Sequence, residues 1–429
     1  MINMNSLSGT INKKNVAFWA LYDFANSIVV VVFFLYFTQW LVVENNFSDF
    51  WYNMLFIGAS ILLVFTGPIF GSLADKRKAK LPFLRVVTAM LFIASVATAL
   101  LANLGPANKT IIILAAICYM LTEYFYQFSL TFYDSLLYEI APAQKRATIS
   151  GFGQAANWSG QIAGILISIP ILAGSVYLFG HPGRTQTLLP AIMIFAILII
   201  PLLFFFKEKE IPQTVPLEPL LEYKNYFKSF FSLLQYPGVG LFLLSFFFYN
   251  DMILTAQNNF PIYLEQVFHV NDNAKSMLLG GILITSAIGA FAGGLIADRI
   301  GSKKVLIWIL WAWLFVFGGL FYTSNFSFFV TVSIIMGFFY GATWTVSRAV
   351  MSLLIPPEKQ TYAFSYYSLM ARFATLLGPL IWGIITTSLI HLGSVRYKIA
   401  GGSLIIFIVI GILIAKKIPD NKIYGTAGE

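Results

Sequence analysis

The stretch Gly71 to Lys80 reads GSLADKRKAK, and 223 residues later (294 against 71) Gly294 to Lys303 reads GLIADRIGSK. Each copy sets an aspartate four residues after its glycine, adds basic residues, and stands between two long apolar runs. Other marks repeat at nearly the same distance, with Tyr22 and Asp23 early in one run and Tyr249, Asn250 and Asp251 early in another. The same features in the same order, twice, describe a parallel duplication. Working outward from the two copies, apolar runs fall near 15–43, 53–74, 83–103, 109–137, 148–173 and 187–206, and again near 239–268, 274–297, 304–323, 326–354, 362–390 and 398–416. Each has the roughly 20 residues that cross a hydrocarbon core of about 30 Å, or reaches that length with its flanks. Between the sets, residues 207–236 mix charges with Pro212, Pro216 and Pro219 and read as a cytoplasmic linker. The predicted fold is an all-α membrane protein of twelve transmembrane helices in two pseudo-symmetric six-helix bundles, 1–206 and 237–429, the second ending in a cytoplasmic tail. Parallel repeats of this kind are a transporter pattern, in which two bundles rock around a site between them.

Composition requires the same solvent. Of 429 residues 58% are hydrophobic and 10% charged, too few charges to cover a water-soluble surface of this size. The net charge of +9 does not point to nucleic acid, because the basic residues lie in short loops between apolar runs. With the N-terminus inside, 20 of the 27 Lys and Arg fall in cytoplasmic segments, 5 in external ones and 2, Arg348 and Arg372, within spans. Basic residues favour the cytoplasmic side, so both termini and the linker are expected there. The polar start of the chain, up to Asn15, is followed by a long span with no small-residue cleavage site, which reads as no removable signal peptide. The one cysteine, Cys118, excludes an intramolecular disulfide and reads as a packing thiol.

A charge in hydrocarbon costs about 2.5 to 3.5 kcal/mol on insertion scales, so embedded charges mark helices that face protein or a water-filled cavity. Here they are Asp23, Glu123, Asp134, Asp251, Arg348 and Arg372, while spans 3, 6, 9 and 12 carry none beyond their ends and read as lipid-facing. Polar residues share faces with them: Glu123, Gln127, Thr131 and Asp134 on one helix, Gln154, Asn157 and Gln161 on another, Asp251, Thr255 and Asn258 on a third. Taken singly, each such residue reads equally as an interhelical hydrogen-bond partner. Three stripes together favour a polar cavity, with Asp251 and Arg372 near the midplane. Arg372, beside Tyr366 and Tyr367, has two readings: an anchor for a substrate carboxylate, or a fixed ion pair with Glu123 or Asp251. Asp251 is the first candidate to carry a coupling proton, with Asp23 and Glu123 competing. The histidines at 181, 269 and 391 read as lone interfacial residues, and no metal, cofactor or nucleotide-binding motif stands out. A membrane enzyme is disfavoured by the same absence of a catalytic constellation.

With these motifs in place, the chain resembles the major facilitator superfamily, whose signature after span 2 is matched by Gly294, Asp298, Gly301 and Lys303. The first copy keeps Gly71, Asp75 and Lys80 but has Lys78 where the second glycine stands. Within the superfamily it is similar to the vacuole effluxer family, which includes the autophagy-related amino-acid effluxer of the yeast vacuole. The residues that carry this are Ala20 to Ser27 (ALYDFANS), Phe132 to Ala141 (FYDSLLYEIA), Phe248 to Asp251 (FYND), Ser347 and Arg348, Leu354 to Pro357 (LIPP), Tyr367 to Leu369, Arg372, and Gly378 with Pro379. The resemblance implies a secondary transporter in a bacterial inner membrane, acting as a monomer on a small solute, with amino acids the best-supported class. A lipid or lysophospholipid transporter, or a channel-like carrier on the same fold, is the alternative. The expected substrate and proton pathway comprises Asp23, Asn26, Glu123, Gln127, Gln154, Asn157, Asp251, Thr255, Asn258 and Arg372. The expected cytoplasmic gate comprises Asp75, Arg77, Asp134, Glu139, Arg146, Asp298, Arg299 and Arg348. Arg146 and Arg348 are the natural partners for Asp75 and Asp298, anions at helix C-termini that the helix dipole disfavours.

Overall fold

In lipid every backbone amide must be satisfied within its own segment, so an apolar run of this length closes into a helix. The computed structural model describes residues 12–103, 108–140, 146–174, 183–208, 224, 228, 230–355 and 360–419, and these are nearly all helical. Most of the linker expected at 207–236 lies outside the described residues. The helices are α1 (Lys13–Glu44), α2 (Asp49–Lys76), α3 (Lys80–Asn103), α4 (Lys109–Ile140), α5 (Arg146–Leu172) and α6 (Arg184–Phe205). There follow α7 (Val239–Phe268), α8 (Asp272–Ile300), α9 (Ser302–Tyr322), α10 (Phe326–Leu353), α11 (Gln360–Phe373), α12 (Leu377–Ser388) and α13 (Val395–Ala415). Among the described residues, 11 helices are long and apolar enough to cross a membrane. The remaining expected span is present as two pieces, α11 and α12. Helix starts follow the sequence, with the side chains of Asn12, Asn271 and Asn325 accepting from amides in the first turns of α1, α8 and α10. The C-terminal part of α1 widens into two π-turns, Phe33–Phe37 and Trp40–Glu44.

The signature turns behave alike in both copies. Gly301 ends α8 with φ of +97°, and Lys78, at the equivalent place after α2, adopts φ of +51°. The turn is therefore kept where the glycine is missing, and Lys78 carries the cost of a left-handed residue with a Cβ, about 1 kcal/mol.

By their contacts the residues form two units, 1–45 with 61–222, and 46–60 with 223–429. In the first, α1 packs along α5 and α3 along α4. The α1–α5 approach needs Gly160, where a Cβ would lie 2.2 Å from the carbonyl oxygen of Phe24. In the second, α8 packs along α10 and α7 along α13. Gly289 and Gly341 bring the first of these pairs together, since a Cβ at either would stand 1.8 Å from a backbone oxygen of the facing helix. Within this unit the segment 46–60 is tied down by polar bonds. Tyr397 donates to Asp49 (3.0 Å), Asn53 and Asn259 exchange amide bonds (3.2 and 3.0 Å), and Tyr52 donates to the carbonyl of Asn258 (2.8 Å).

The central helices are the first of each unit: 83% of the apolar window of α1 and 67% of that of α7 is buried, against half or less in the others. Spans 3, 6, 9 and 12 were expected to be the exposed ones. They carry exposed apolar stripes, such as Val86, Met90 and Ile93 on α3 and Trp308 and Phe315 on α9. Yet α5 and α8 expose more of their length than these do. Exposure by itself therefore does not single out spans 3, 6, 9 and 12.

Candidate functional site

Asp23 and Asn26 lie one turn apart on α1, and the aromatic residues around them fix that face. Trp19 stacks on Tyr133 of α4 with ring centres 4.8 Å apart and donates its Nε1 proton to the carbonyl of the same residue at 3.1 Å. The Tyr22 hydroxyl is 2.7 Å from Thr88 Oγ1 on α3. Asp23 turns to α5, where Asn157 Nδ2 donates to its Oδ1 at 2.9 Å and Gln161 in turn donates to Asn157 at 2.8 Å. Gln154, one turn before Asn157, is half-buried and joins no hydrogen bond among the described residues. The stripe Gln154, Asn157, Gln161 is thus partly a carboxylate clasp.

Glu123 on α4 is within hydrogen-bonding reach of Tyr119 and Gln127, each one turn away on its own helix. Neither Asp23 nor Glu123 forms an ion pair among the described residues. Asn26 faces the same region, is 1% exposed, and finds no partner for either its amide oxygen or its nitrogen. Asp134 lies exposed near the C-terminal end of α4.

In the second unit the decisive feature is the interruption of span 11 at Ala374–Leu376, between α11 and α12. Breaking a helix within a membrane frees carbonyls at one end and amides at the other, and each must be satisfied. Two adjacent residues of α7 do this. Asn250 Nδ2 donates to the carbonyl of Ala371 in the last turn of α11 (3.2 Å), and Asp251 Oδ2 accepts the amide protons of Leu377 (3.1 Å) and Gly378 (2.8 Å) at the start of α12. The signs match the helix dipoles: a donor meets the negative end and a carboxylate the positive end. Thr255 donates to the other oxygen of Asp251 at 3.4 Å, and Asp251 is wholly buried. Gly378 is required here, because a Cβ would stand 2.1 Å from Thr255 Oγ1 and 2.8 Å from Asp251 Oδ1. Asn258 contributes its backbone carbonyl, and the side chain engaged on that turn belongs to Asn259. The side chain of Arg372 lies outside the described residues, so neither of its two readings is decided.

The expected gate residues are only partly brought together. Glu139 pairs with Lys80 (3.5 Å), a residue of the signature loop. Asp298 and Arg299 are exposed at the end of α8, and Asp298 makes no ion pair among the described residues. The pairing of Asp298 with Arg348 is not made: Arg348 is exposed and its Nε proton goes to the carbonyl of Trp344 at 3.3 Å, one turn back on α10. A long side chain at a wet helix end reaches its own helix at less entropic cost than a distant anion. Arg77 is half-buried, and the side chains of Asp75 and Arg146 lie outside the described residues.

Sequence reading missed the Asn53–Asn259 pair and Asp49 with Tyr397. Periodicity gave no signal for either, because each joins helices more than 200 positions apart. It also missed that Asn250 and Asp251 act together. The signal was present in Gly378 and Pro379, since proline removes an amide and favours a helix start just before it.

Comparison with known proteins adds the family. A family model described as Major Facilitator Superfamily matches residues 241–426. The chain is 22% identical over 416 residues, 94% of each chain, to an uncharacterized MFS-type transporter, YxiO, of Bacillus subtilis. It is 27% identical over 291 residues to Autophagy-related protein 22 of Yarrowia lipolytica, covering 58% of this chain and 49% of that protein. Among solved structures, a mutant form of the nucleoside transporter NupG superposes with a TM-score of 0.73 at 13% identity, over 94% of this chain and 99% of that one. A structure at that identity shows the shared fold; with the full-length relative and the family match it supports a multi-pass membrane protein of transporter type. The chain is thus similar to transporters of the major facilitator superfamily, and within them to those of the Autophagy-related protein 22, or vacuole effluxer, type.

Proposed function

We propose that the protein is a secondary active transporter that carries an amino acid or a related metabolite across a bacterial inner membrane by alternating access, as a monomer, with protons as the coupling ion. The observation that carries the reading is the buried clasp of Asp251 on the broken span. Both amides donate to Oδ2, and gaining a proton at Oδ1 removes the negative charge that makes these bonds charge-assisted. Protonation of Asp251 therefore weakens the cap of α12, which couples proton binding to the geometry of a helix hinge. Discontinuous helices of this kind recur at the ion and substrate sites of secondary transporters. The amino-acid class is supported by the likeness to the vacuole effluxers and by the embedded charges, acids on α1, α4 and α7 with Arg372 as the base for a substrate carboxylate. The fourfold excess of basic residues, 20 against 5, supports cytoplasmic termini.

The test is uptake into proteoliposomes of a panel of amino acids, sugars and lysophospholipids, with and without a pH gradient. Asp251→Asn is expected to abolish gradient-driven accumulation of the transported solute while leaving solute exchange intact, because exchange moves no net protons. Gradient-driven uptake at the wild-type rate in Asp251→Asn excludes this residue as the coupling site. Uptake of lysophospholipids in place of amino acids selects the alternative substrate.

A further inference from the structure

We propose that a niche between α1 and α4, bounded by Asn26, Thr122, Glu123 and Tyr126, receives the ammonium group of the substrate. The inference rests on the amino-acid reading above and assigns one end of that substrate to one set of residues.

Size is the first argument. The cleft that these residues line, with Phe33 and Leu91 among its apolar walls, has room for about one water-sized group. An ammonium is of that size, and a carboxylate is not. Hydrogen-bonding capacity is the second. An ammonium offers three donors and no acceptor, so its site must present acceptors. Asn26 presents an unused amide oxygen, and it is nearly fully buried. The Tyr22 hydroxyl lies near the Asn26 amide but is committed to Thr88 at 2.7 Å, and no bond of ordinary geometry reaches either Asn26 atom. Exchanging the amide oxygen and nitrogen would leave an unused oxygen all the same. The Glu123 carboxylate is the second acceptor. Thr122, whose own proton goes to the carbonyl of Cys118 at 3.0 Å, supplies the third through its oxygen.

Charge is the third argument. Glu123 has no ion pair among the described residues, and on α1 and α4 the charges embedded in the spans are all acidic, while α5 carries none. A carboxylate against Val29, Val30 and Phe33 is costly without a counter-charge, and a substrate cation supplies one that leaves when the substrate leaves. Asp23 does not compete for this role, because it does not line this cleft and its carboxylate is turned to Asn157 on α5.

The test uses full-length protein and three probes of matched shape: L-leucine, 3-methylbutylamine, which lacks the carboxylate, and 4-methylpentanoate, which lacks the amine. Affinities are read by thermal shift and by inhibition of L-leucine uptake into proteoliposomes, with Glu123→Gln and Asn26→Ala beside the wild type. The wild type is expected to bind leucine and the amine but not the acid. Each variant is expected to weaken binding of both by about tenfold or more, the loss of one hydrogen bond to a charged group. Where Glu123→Gln does not fold, as judged by size exclusion, Asn26→Ala gives the same reading. Equal inhibition by acid and amine, or leucine affinity within about twofold of wild type in a folded variant, overturns the niche while leaving amino-acid transport standing. A wild type that neither binds nor moves any amino acid overturns both.

Discussion

Lys78 occupies the one place in the first signature loop where its repeat has glycine, and it takes the left-handed conformation all the same, with φ of +51°. Its side chain is exposed, and the cost of the left-handed backbone is local to this residue. Lys78→Gly is therefore expected to raise stability by about 0.5 to 1 kcal/mol, seen as a higher unfolding temperature in detergent. A lower unfolding temperature in Lys78→Gly would show that the lysine makes a contact worth more than its strain. At the same scale, Asn250 and Asp251 show why neighbours in sequence were read unevenly. A charge in an apolar run is visible in the sequence, whereas the role of an amide beside it depends on which backbone groups lie opposite. The embedded acids Asp23, Glu123 and Asp251 were legible as interior residues; of their partners, Asn157 was legible as a member of a polar stripe, Gly378 as a motif residue, and Leu377 not at all.

Helix pairs are held by what they lack. Along α8 and α10, Gly289 and Gly341 each meet a backbone oxygen where a Cβ would come to 1.8 Å, while Gly280 on the same α8 has nothing within 4 Å. Gly289→Ala forces the two helices apart and is expected to cost about 1 to 3 kcal/mol, the range for overpacking a tight contact. Gly280→Ala, with open space around it, is expected to leave the unfolding temperature unchanged. The pair of variants read side by side is the measurement, and equal effects would mean that the α8–α10 approach is not glycine-limited. The division of span 11 into α11 and α12 belongs to this scale too. Its hydropathy reads as one span near 362–390, because hydropathy sums over a window and a two- or three-residue break does not lower the sum. What makes the break tolerable is the pair of side chains that α7 supplies to its two ends.

At the scale of the molecule, we propose the duplicated loops as the place where alternating access is controlled, and here Asp298 stands exposed with no ion pair among the described residues. An ion pair that this arrangement does not use can favour only another arrangement. Asp298→Asn is thus expected to shift the balance between inward- and outward-open forms by about twofold to fivefold, the worth of one exposed charge pair. Cysteines placed at cavity positions in a background lacking Cys118, and labelled from each side of the membrane, report that shift. Unchanged labelling would remove Asp298 from the gate.

The sequence by itself determined the membrane environment, the helical class, the twelve spans and the twofold repeat. These follow from sums over many residues, in which each apolar side chain adds to the same transfer free energy and no single position decides. It also marked the inner helices, because a charge in hydrocarbon is costly wherever it sits. Only the tertiary structure decided which polar residues are already committed. Asp23 is held by Asn157 and Asp251 by two backbone amides, while Glu123 has no ion pair and the Asn26 amide no hydrogen bond among the described residues. A hydrogen bond depends on a few tenths of an ångström between groups that the chain brings from 126 or 134 positions away, and no pattern along the chain carries that distance.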